Sequence, residues 1–457
     1  MIFTLAQVAG SIGISASPAS PAGPGVTVTG WSIDTRTLKP GDLFFALRGP
    51  THNGHDFIQE ALAQGASAVI AEYALTQDSR MLIVPNVLAA LQQIAAWARN
   101  QWPGDGIGIT GSAGKTSTKD IVAALLSTRL RTGKTEGNFN NHYGLPLSIL
   151  RLPADAQVAV LEFGMNHAGE IKALAAIARP RIAIITIVGT AHIEFFDSIA
   201  GIAAAKRELV ESLPPGGVAI LNADDARVAA FAPFHPGHTI TYGLSPNAEV
   251  RADNVEFTRE GTRFQHAGIA FETKLPGRHG VRNILAGIAA ASLYGIPPAA
   301  LREAIAQLQP GTMRGKRSHH RGMELINDCY NSSPDAAMSM LDVLHDTPAQ
   351  RRIAVLGEML ELGPWSETLH REVGRYAAQS GIDVLVAIRG AAKNMADAAI
   401  SVGLPAGAAF FFEDPAQAGA ALQSMARPGD AILFKGSRGT HVERALDAFL
   451  AEVRVNS

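Results

Sequence analysis

A glycine-rich run beginning at Thr110 is the stretch of this sequence best suited to chemistry. It follows a short apolar segment at residues 106–109 and precedes a segment at 121–130 whose apolar residues recur with helical spacing. In a strand–loop–helix unit the glycines let successive backbone N–H groups face one point, and the helix adds its positive end. The unit predicts an ATP site rather than a chance glycine-rich turn, formed by Thr110, Gly111, Ser112, Ala113, Gly114, Lys115, Thr116 and Ser117.

Two side chains of this loop have the chemistry that phosphates require. Lys115 would bring a positive charge to the outer phosphates, and Thr116 would offer its hydroxyl to a magnesium ion. The match is to the variant T-G-x-x-G-K-T, because Ile109 stands where the general pattern has glycine. We expect Lys115 to act in catalysis as well as in nucleotide binding.

Three residues beyond the loop are candidates for metal chemistry. Glu162 closes an apolar run at 158–162 and could hold the same magnesium ion, or could cap a nearby loop. His192 follows a buried strand expected at 182–188, where it could contact a metal or serve packing. Lys206 falls in a helical segment, where most lysines are solvated. The residues alone leave these alternatives open.

Other polar clusters lie farther along the chain. Asn283 ends the segment H-G-V-R-N, and Arg314 lies in M-R-G. Residues 327–334 have the composition of a turn. The basic segment 435–439 could bind an anion through its side chains and backbone N–H groups, or could form a flexible loop.

The length and composition limit the class of protein. At 457 residues, the chain predicts two or three domains. A net charge of -2 provides no basis for binding nucleic acid or an acidic membrane. The lone cysteine, Cys329, excludes an internal disulfide and fits a reducing compartment. Neither a signal peptide nor a membrane-spanning segment is recognisable, so we expect a soluble, cytoplasmic monomer.

Alternating strands and helices predict an α/β protein of three domains. We expect a small α/β domain at 1–85, a P-loop domain with a parallel sheet at 86–313, and a doubly wound, Rossmann-like domain at 314–457. The expected strands are continuous apolar runs, as in parallel sheets covered on both faces. They lie at 106–109, 158–162, 182–188 and 218–221, and then at 353–356, 384–388, 409–412 and 431–434.

Taken in order, four motifs resemble those of the Mur ligase family, the ATP-dependent amino-acid ligases of peptidoglycan precursor synthesis. They are the loop at 110–116, E-F-G-M at 162–165 with G-E-I at 169–171, A-H-I-E-F-F at 191–196, and A-K-R-E at 205–208. The resemblance covers nearly the whole chain. It implies that the N-terminal domain binds uridine diphosphate.

The resemblance also implies roles for individual residues. Thr116 and Glu162 would bind one magnesium ion, and His192 would help place a second. Lys206 would be carbamylated by carbon dioxide and so become an anionic metal ligand, with His192 and Lys206 both catalytic. The remaining residues would bind ligands: Asn283, Arg314 and Asp328 the nucleotide, and Asp34, Thr35, Arg36, Asn138, Asn140, Asn141, Tyr330, Asn331, Lys435 and Arg438 the substrate.

The implied reaction joins D-alanyl-D-alanine to a UDP-N-acetylmuramoyl tripeptide through an acyl phosphate. Positioning and electrostatic stabilisation should dominate, because an anionic carboxylate must attack an anionic phosphate. We expect the third domain to close over the second and exclude water. The alternatives are another Mur-type or folylpolyglutamate-type amino-acid ligase with the same core, and a P-loop switch or motor that hydrolyses nucleotide without an amine acceptor.

Overall fold

The computed structural model describes residues 1–14, 25–76, 78–258 and 261–451. Three regions of this described chain each contain a sheet with helices packed on it. The three-domain α/β prediction is therefore confirmed. The exact boundaries, 1–85, 86–313 and 314–457, stay a prediction.

The N-terminal region is built on a four-stranded parallel sheet in the order β3-β4-β5-β6. Its strands are short and apolar, and helix α3 covers one face of the sheet through Leu91 and Ile94. A 3₁₀ turn at Gly54–Phe57 leads directly into the second helix of the region. The elements are β1 (Phe3–Thr4), α1 (Leu5–Ser11), β2 (Thr27–Val28), β3 (Gly30–Ser32), β4 (Asp42–Phe45), α2 (Ile58–Ala63), β5 (Ala68–Ala71), β6 (Met81–Ile83) and α3 (Val87–Gln101).

The central region contains a seven-stranded parallel sheet in the order β13-β12-β11-β10-β7-β9-β8. Buried apolar runs form its middle strands, as predicted, and a smaller antiparallel sheet, β14-β15-β16, follows it. The elements are β7 (Asp105–Thr110), α4 (Lys115–Leu126), β8 (Thr132–Lys134), α5 (Gly144–Leu150), β9 (Val158–Glu162), α6 (Glu170–Ala178), β10 (Ile182–Ile185), α7 (Ile199–Glu211), β11 (Val218–Asn222), α8 (Ala226–Ala229), β12 (His238–Gly243), β13 (Val250–Arg251), β14 (Asp253–Phe257), β15 (Thr262–His266), β16 (Ile269–Thr273), α9 (Gly277–Ser292) and α10 (Arg302–Gln307).

The C-terminal region has a six-stranded sheet in the order β17-β18-β22-β19-β20-β21. The sheet is mixed, because β17 pairs antiparallel with β18, and the sequence analysis had predicted neither of these strands. The elements are β17 (Lys316–His320), β18 (Met323–Asp328), α11 (Pro334–Asp346), β19 (Arg351–Gly357), α12 (Ser366–Gln379), β20 (Val384–Ile388), α13 (Lys393–Ser401), β21 (Ala409–Phe412), α14 (Pro415–Met425), β22 (Asp430–Lys435) and α15 (Glu443–Leu450).

The central and C-terminal regions share apolar packing. One continuous cluster of buried side chains includes Leu161 and Ile185 of the central sheet together with Leu341 of α11 and Leu356 of β19. The carboxyl ends of β7, β9 and β10 and the carboxyl ends of β18 and β22 line the same cleft, and ligands of parallel sheets bind at such ends.

Candidate functional site

The glycine-rich loop leads from β7 directly into helix α4. Gly114 has a φ of 80° and occupies the N-cap position of the helix, a conformation that favours glycine. Gly111 has a φ of 153°, and a Cβ there would collide with the hydroxyl of Thr186. The loop is thus held against β10, where Thr186 Oγ1 also donates to the carbonyl of Ala113 at 2.6 Å.

Lys115 begins α4, and its amine turns back over the loop. The Nζ atom donates to the carbonyl of Gly111 at 2.8 Å. Burial lowers the pKa of Lys115, and the nearby Glu162 carboxylate acts in the opposite direction. A lysine in this position offers a charge to a phosphate at the helix N-terminus.

Glu162 lies at the end of β9 and is buried. Its Oε1 atom accepts a hydrogen bond of 2.8 Å from the side-chain amide of Asn140, whereas Oε2 is buried with no hydrogen-bond partner in the described part of the chain. Across the loop, Thr116 Oγ1 accepts a bond of 3.2 Å from Arg314. An unpartnered carboxylate oxygen and a hydroxyl are hard oxygen ligands, and they fit magnesium.

Metal binding here would depend on oxygen ligands from outside the protein as well. Within the described residues, no three His, Cys, Asp or Glu side chains gather into a metal-binding cluster. Magnesium commonly retains waters and takes substrate phosphates beside one or two protein ligands. The pair Thr116 and Glu162 is compatible with that pattern.

His192 has a left-handed backbone conformation, with a φ of 65°, at the start of a 3₁₀ turn. Its Nδ1 atom lies 2.6 Å from Oε2 of Glu361, which belongs to the C-terminal region and has a φ of 62°. Contact with His192 is the main cause that lowers the pKa of Glu361, and burial opposes it. The histidine therefore joins the two regions at the cleft.

Lys206 is buried in α7, with 1% of its surface exposed. This burial excludes the solvated-surface alternative. Desolvation holds the pKa of Lys206 well below its ordinary value, and the charge of Lys115 acts in the same direction. Burial therefore shifts the amine toward its neutral form.

On the C-terminal side, Lys435 at the end of β22 is paired rather than free. Its Nζ atom donates to Asp328 Oδ2 at 2.5 Å and to the carbonyl of Asn331 at 2.8 Å. The Arg314 guanidinium lies 3.8 Å from the ring centroid of Tyr330. Arg438 is exposed and contacts Glu443 at 3.1 Å.

Most of these groups, but not Lys206, line one cleft of about 1700 Å³. The cleft brings together predicted residues from the two larger regions, namely Ser112, Ala113, Gly114, Lys115, Thr116, Ser117, Asn138, Asn140, Asn141, Glu162, His192, Asn283, Arg314, Asp328, Tyr330, Asn331, Lys435 and Arg438.

Six predicted residues lie outside this lining. Lys206 and Thr110 are buried beneath it, and the Thr110 hydroxyl donates to the carbonyl of Phe163 at 2.9 Å. Gly111 contributes the backbone turn described above. Asp34, Thr35 and Arg36 lie in the N-terminal region, where Asp34 caps a 3₁₀ turn and pairs with Arg36 at 2.6 Å.

Three residues that were not predicted as site residues also line the cleft, and a fourth, Lys119, holds the segment that precedes Asn138. Lys119 is buried in α4, one turn after Lys115, and its amine donates to the carbonyl of Gly137 at 3.0 Å. Its i+4 spacing from Lys115 was a usable signal. The others are Glu361, Asp335 and His279, whose partners are distant in sequence.

The model of the Mur ligase middle domain matches residues 109–291, that of the Mur ligase glutamate ligase domain matches 313–438, and that of the Mur ligase family catalytic domain matches 27–100. The fold and site define a P-loop protein of three α/β domains, and the chain belongs to the Mur ligase family.

Individual relatives share most of the chain. The UDP-N-acetylmuramoyl-tripeptide--D-alanyl-D-alanine ligase of Synechocystis sp. is 37% identical over 92% of this chain and 91% of its own length. The crystal structure of MurF from Acinetobacter baumannii has a TM-score of 0.88 at 27% identity, with 99% of each chain covered. The MurF ligase of Thermotoga maritima in complex with ADP has a TM-score of 0.83 at 28% identity and covers 92% of this chain and 97% of its own.

No helix in the described ranges is both long enough and apolar enough to cross a bilayer.

Proposed function

We propose that this chain is an ADP-forming ligase that joins D-alanyl-D-alanine to a UDP-N-acetylmuramoyl tripeptide. The relatives carry this activity in their names. The observation that supports it most directly is the shared cleft, where Lys115, Glu162 and His192 face residues of the C-terminal region. A cleft between two sheets can hold a nucleotide on one side and an acceptor on the other.

The charge arrangement suits attack of a carboxylate on a phosphate. Both reactants are anions, so the site must offset their repulsion. Lys115 lies at the N-terminus of α4, where its charge and the backbone N–H groups would hold the outer phosphates. Arg314 is placed over Tyr330 and reaches Thr116, on the opposite wall. Transfer of the γ-phosphoryl group to the tripeptide carboxylate releases ADP and gives an acyl phosphate with a good leaving group.

Magnesium, when bound, would neutralise phosphate charge. Thr116 and Glu162 would hold one ion, and Asn140 orients Glu162 by occupying its other oxygen. His192 would help place a second ion. Its contact with Glu361 holds the ring at the wall of the cleft.

Lys206 is proposed to carry a carbamate. Only a neutral amine attacks carbon dioxide, and burial favours that form of Lys206. The nitrogen bonds to the carbon of carbon dioxide and releases one proton to solvent, and the resulting carbamate is an anion beside the positive charge of Lys115, an arrangement more favourable than two neighbouring ammonium groups. A carbamate oxygen could also serve the second metal.

The second half of the reaction is amide formation. The free amine of D-alanyl-D-alanine attacks the acyl carbon, and phosphate leaves through a tetrahedral intermediate. Closure of the C-terminal region over the cleft would exclude water, which would otherwise hydrolyse the acyl phosphate. Asn138, Asn141, Asn331 and Arg438 line the cleft and are proposed to bind the substrates.

The test is ADP release by the purified chain. Release should require the tripeptide nucleotide and D-alanyl-D-alanine together, and mass spectrometry should detect the pentapeptide nucleotide. ADP release without either substrate would favour a nucleotide-driven switch, and turnover dependent on a folate would favour the folylpolyglutamate-type alternative.

The same assay addresses the third residue of the tripeptide. Tripeptide nucleotides ending in diaminopimelate and in lysine should be compared by kcat/KM. We also propose that the chain acts as a cytoplasmic monomer, which light scattering of the purified protein tests for the oligomeric state.

A further inference from the structure

Asp335 connects the C-terminal region to the loop that carries His192. It lies in the first turn of α11, and its Oδ2 atom accepts two hydrogen bonds from Thr190. The backbone N–H donates at 2.8 Å and the hydroxyl at 3.0 Å. The residue before Thr190 is Gly189, and a Cβ at Gly189 would collide with the Asp335 carboxylate. The loop and the carboxylate are therefore fitted closely to each other.

The same loop is bonded to the glycine-rich loop. The N–H of Gly189 donates to Ser112 Oγ at 2.9 Å, and that hydroxyl donates to the carbonyl of Gly189 at 3.1 Å. Ser112 and Thr190 are both buried. A short series of hydrogen bonds thus runs from Asp335 through Thr190 and Gly189 to the loop that begins the predicted ATP site.

A second contact holds the other end of the loop. The N–H of Glu194 donates to the carbonyl of Glu361 at 3.2 Å, and His192 lies between these anchoring points. Two segments of the C-terminal region, at Asp335 and at Glu361, therefore fix the segment 189–194 from both sides.

We propose that Asp335 is a positioning residue. It fixes the positions of His192 and of Ser112 in the glycine-rich loop when the C-terminal region is packed against the central region. This inference rests on the proposed ligase function. An anionic acceptor suits the place because hydrogen bonds to a charged group are stronger than neutral ones, and two donors of Thr190 converge on one oxygen.

Asp335 could instead only stabilise helix α11, and that role would have different effects on the protein. A carboxylate in the first turn of a helix stabilises that helix through its dipole. Thr190→Val separates the two roles, because it removes one hydrogen bond to Asp335 without altering α11. The variants needed are Asp335→Ala, Thr190→Val and the double variant. Asp397→Ala is the control, since Asp397 is an exposed carboxylate in α13 of the same region.

Hydrogen exchange is measured on the full chain with ADP and magnesium. Steady-state kinetics is measured separately on the same full-length variants. In Asp335→Ala, exchange should accelerate in peptides covering 186–194, and kcat should fall by about ten- to a hundredfold, more than the KM for ATP changes. Thr190→Val should change both in the same direction. The double variant should be little worse than Asp335→Ala, because both substitutions break the same contact. If the two residues acted independently, the two fold-changes would instead multiply to within about twofold.

Two outcomes would overturn the inference. One is faster exchange within α11 alone, with 186–194 unaffected, which indicates helix stabilisation. The other is a double variant in which the fold-changes in kcat of the two single variants multiply fully. Hydrogen exchange does not require turnover, so an absence of ligase activity in the unaltered chain would refute the proposed function without deciding whether the Asp335 contact orders the loop.

Discussion

The side-chain amide of Asn140 and the carboxylate of Glu162 are joined by a hydrogen bond of 2.8 Å. The bond occupies Oε1 and leaves Oε2 buried with no hydrogen-bond partner among the described residues. A buried charged oxygen without a partner is costly, and a bound cation removes that cost. Asn140 lines the cleft, and its binding of substrate stays a prediction; in the structure its amide also orients the Glu162 carboxylate.

Replacement of Glu162 should therefore weaken metal binding. Glu162→Gln removes the charge but keeps the shape, and we expect kcat to fall by about a hundred- to a thousandfold. Titration with Mn²⁺ in the presence of ATP, followed by electron paramagnetic resonance, should show weaker binding. Glu211→Gln, which alters an exposed ion pair with Arg207, is the control. Unchanged Mn²⁺ affinity in Glu162→Gln would contradict the assignment.

Lys206→Ala should lose most activity, by about a hundred- to a thousandfold, if a carbamate at this position supports catalysis. Added short carboxylic acids should restore part of the activity of Lys206→Ala, and Lys206→Glu should retain some. Carbon-13 NMR after incubation with labelled bicarbonate should show a carbamate signal that is absent from the variant. Lys172→Ala serves as the control, since Lys172 is exposed. Full activity of Lys206→Ala would refute the role.

Lys119→Met should loosen the segment that carries Asn138 and Asn140. The buried amine holds the carbonyl of Gly137, and its loss should raise the KM for the tripeptide nucleotide by about tenfold. The matched control is Lys134→Met. Lys119 and Lys134 both contact Asp120, but Lys134 is exposed. Steady-state kinetics measures the KM for the tripeptide nucleotide in both variants. An equal rise of this KM in Lys119→Met and Lys134→Met would contradict the prediction.

The predicted uridine diphosphate site lies apart from the cleft and can be tested separately. Arg36 is largely exposed and paired with Asp34, so its guanidinium remains accessible to a ligand. Arg36→Ala should raise the KM for the tripeptide nucleotide by about tenfold and leave the KM for ATP unchanged. Arg131→Ala removes a comparable exposed ion pair, with Asp155, as the control. An equal rise in both KM values would contradict the placement.

His279 predicts a pH dependence of stability. Burial lowers its pKa to about 4, and Ser339 lies 3.2 Å from its Nδ1 atom. Between the ordinary value of 6.5 and about 4, the unfolded chain binds a proton that the folded chain does not, so stability falls as the pH falls through this window. The full loss is about 3 kcal/mol.

Urea unfolding near neutral pH and near pH 5 measures the larger part of this loss, about 2 kcal/mol. His279→Gln should lose less stability on acidification than the unaltered chain does. His238→Gln, at an exposed position, should behave as the unaltered chain. An identical acid-induced loss in all three proteins would show that His279 does not contribute.

The sequence predicted the fold best where a signal was continuous. The strands at 158–162 and 384–388 were predicted with the bounds observed, because unbroken apolar runs mark strands buried on both faces. Strands β12 and β17 were missed, since threonine, histidine and arginine interrupt their apolar character. Both lie toward the edges of their sheets, where burial is incomplete.

The side-chain contacts of the site were harder to predict than its members. Helical spacing placed Lys206 on a helix but did not show that its face packs into the core. The pairing of Lys435 with Asp328 joins residues 107 positions apart, and the sequence analysis gave the two residues separate roles. Such contacts depend on how two sheets are brought together, which residue types alone do not determine.

The continuous cluster of buried side chains beneath the cleft has a calorimetric consequence. If the central and C-terminal regions separate, apolar side chains of this shared cluster become exposed to water, and their hydration raises the heat capacity. Reactants that bring the two regions together would then release heat in amounts that grow steadily with temperature. A titration repeated at several temperatures would read the extent of the movement from that slope alone.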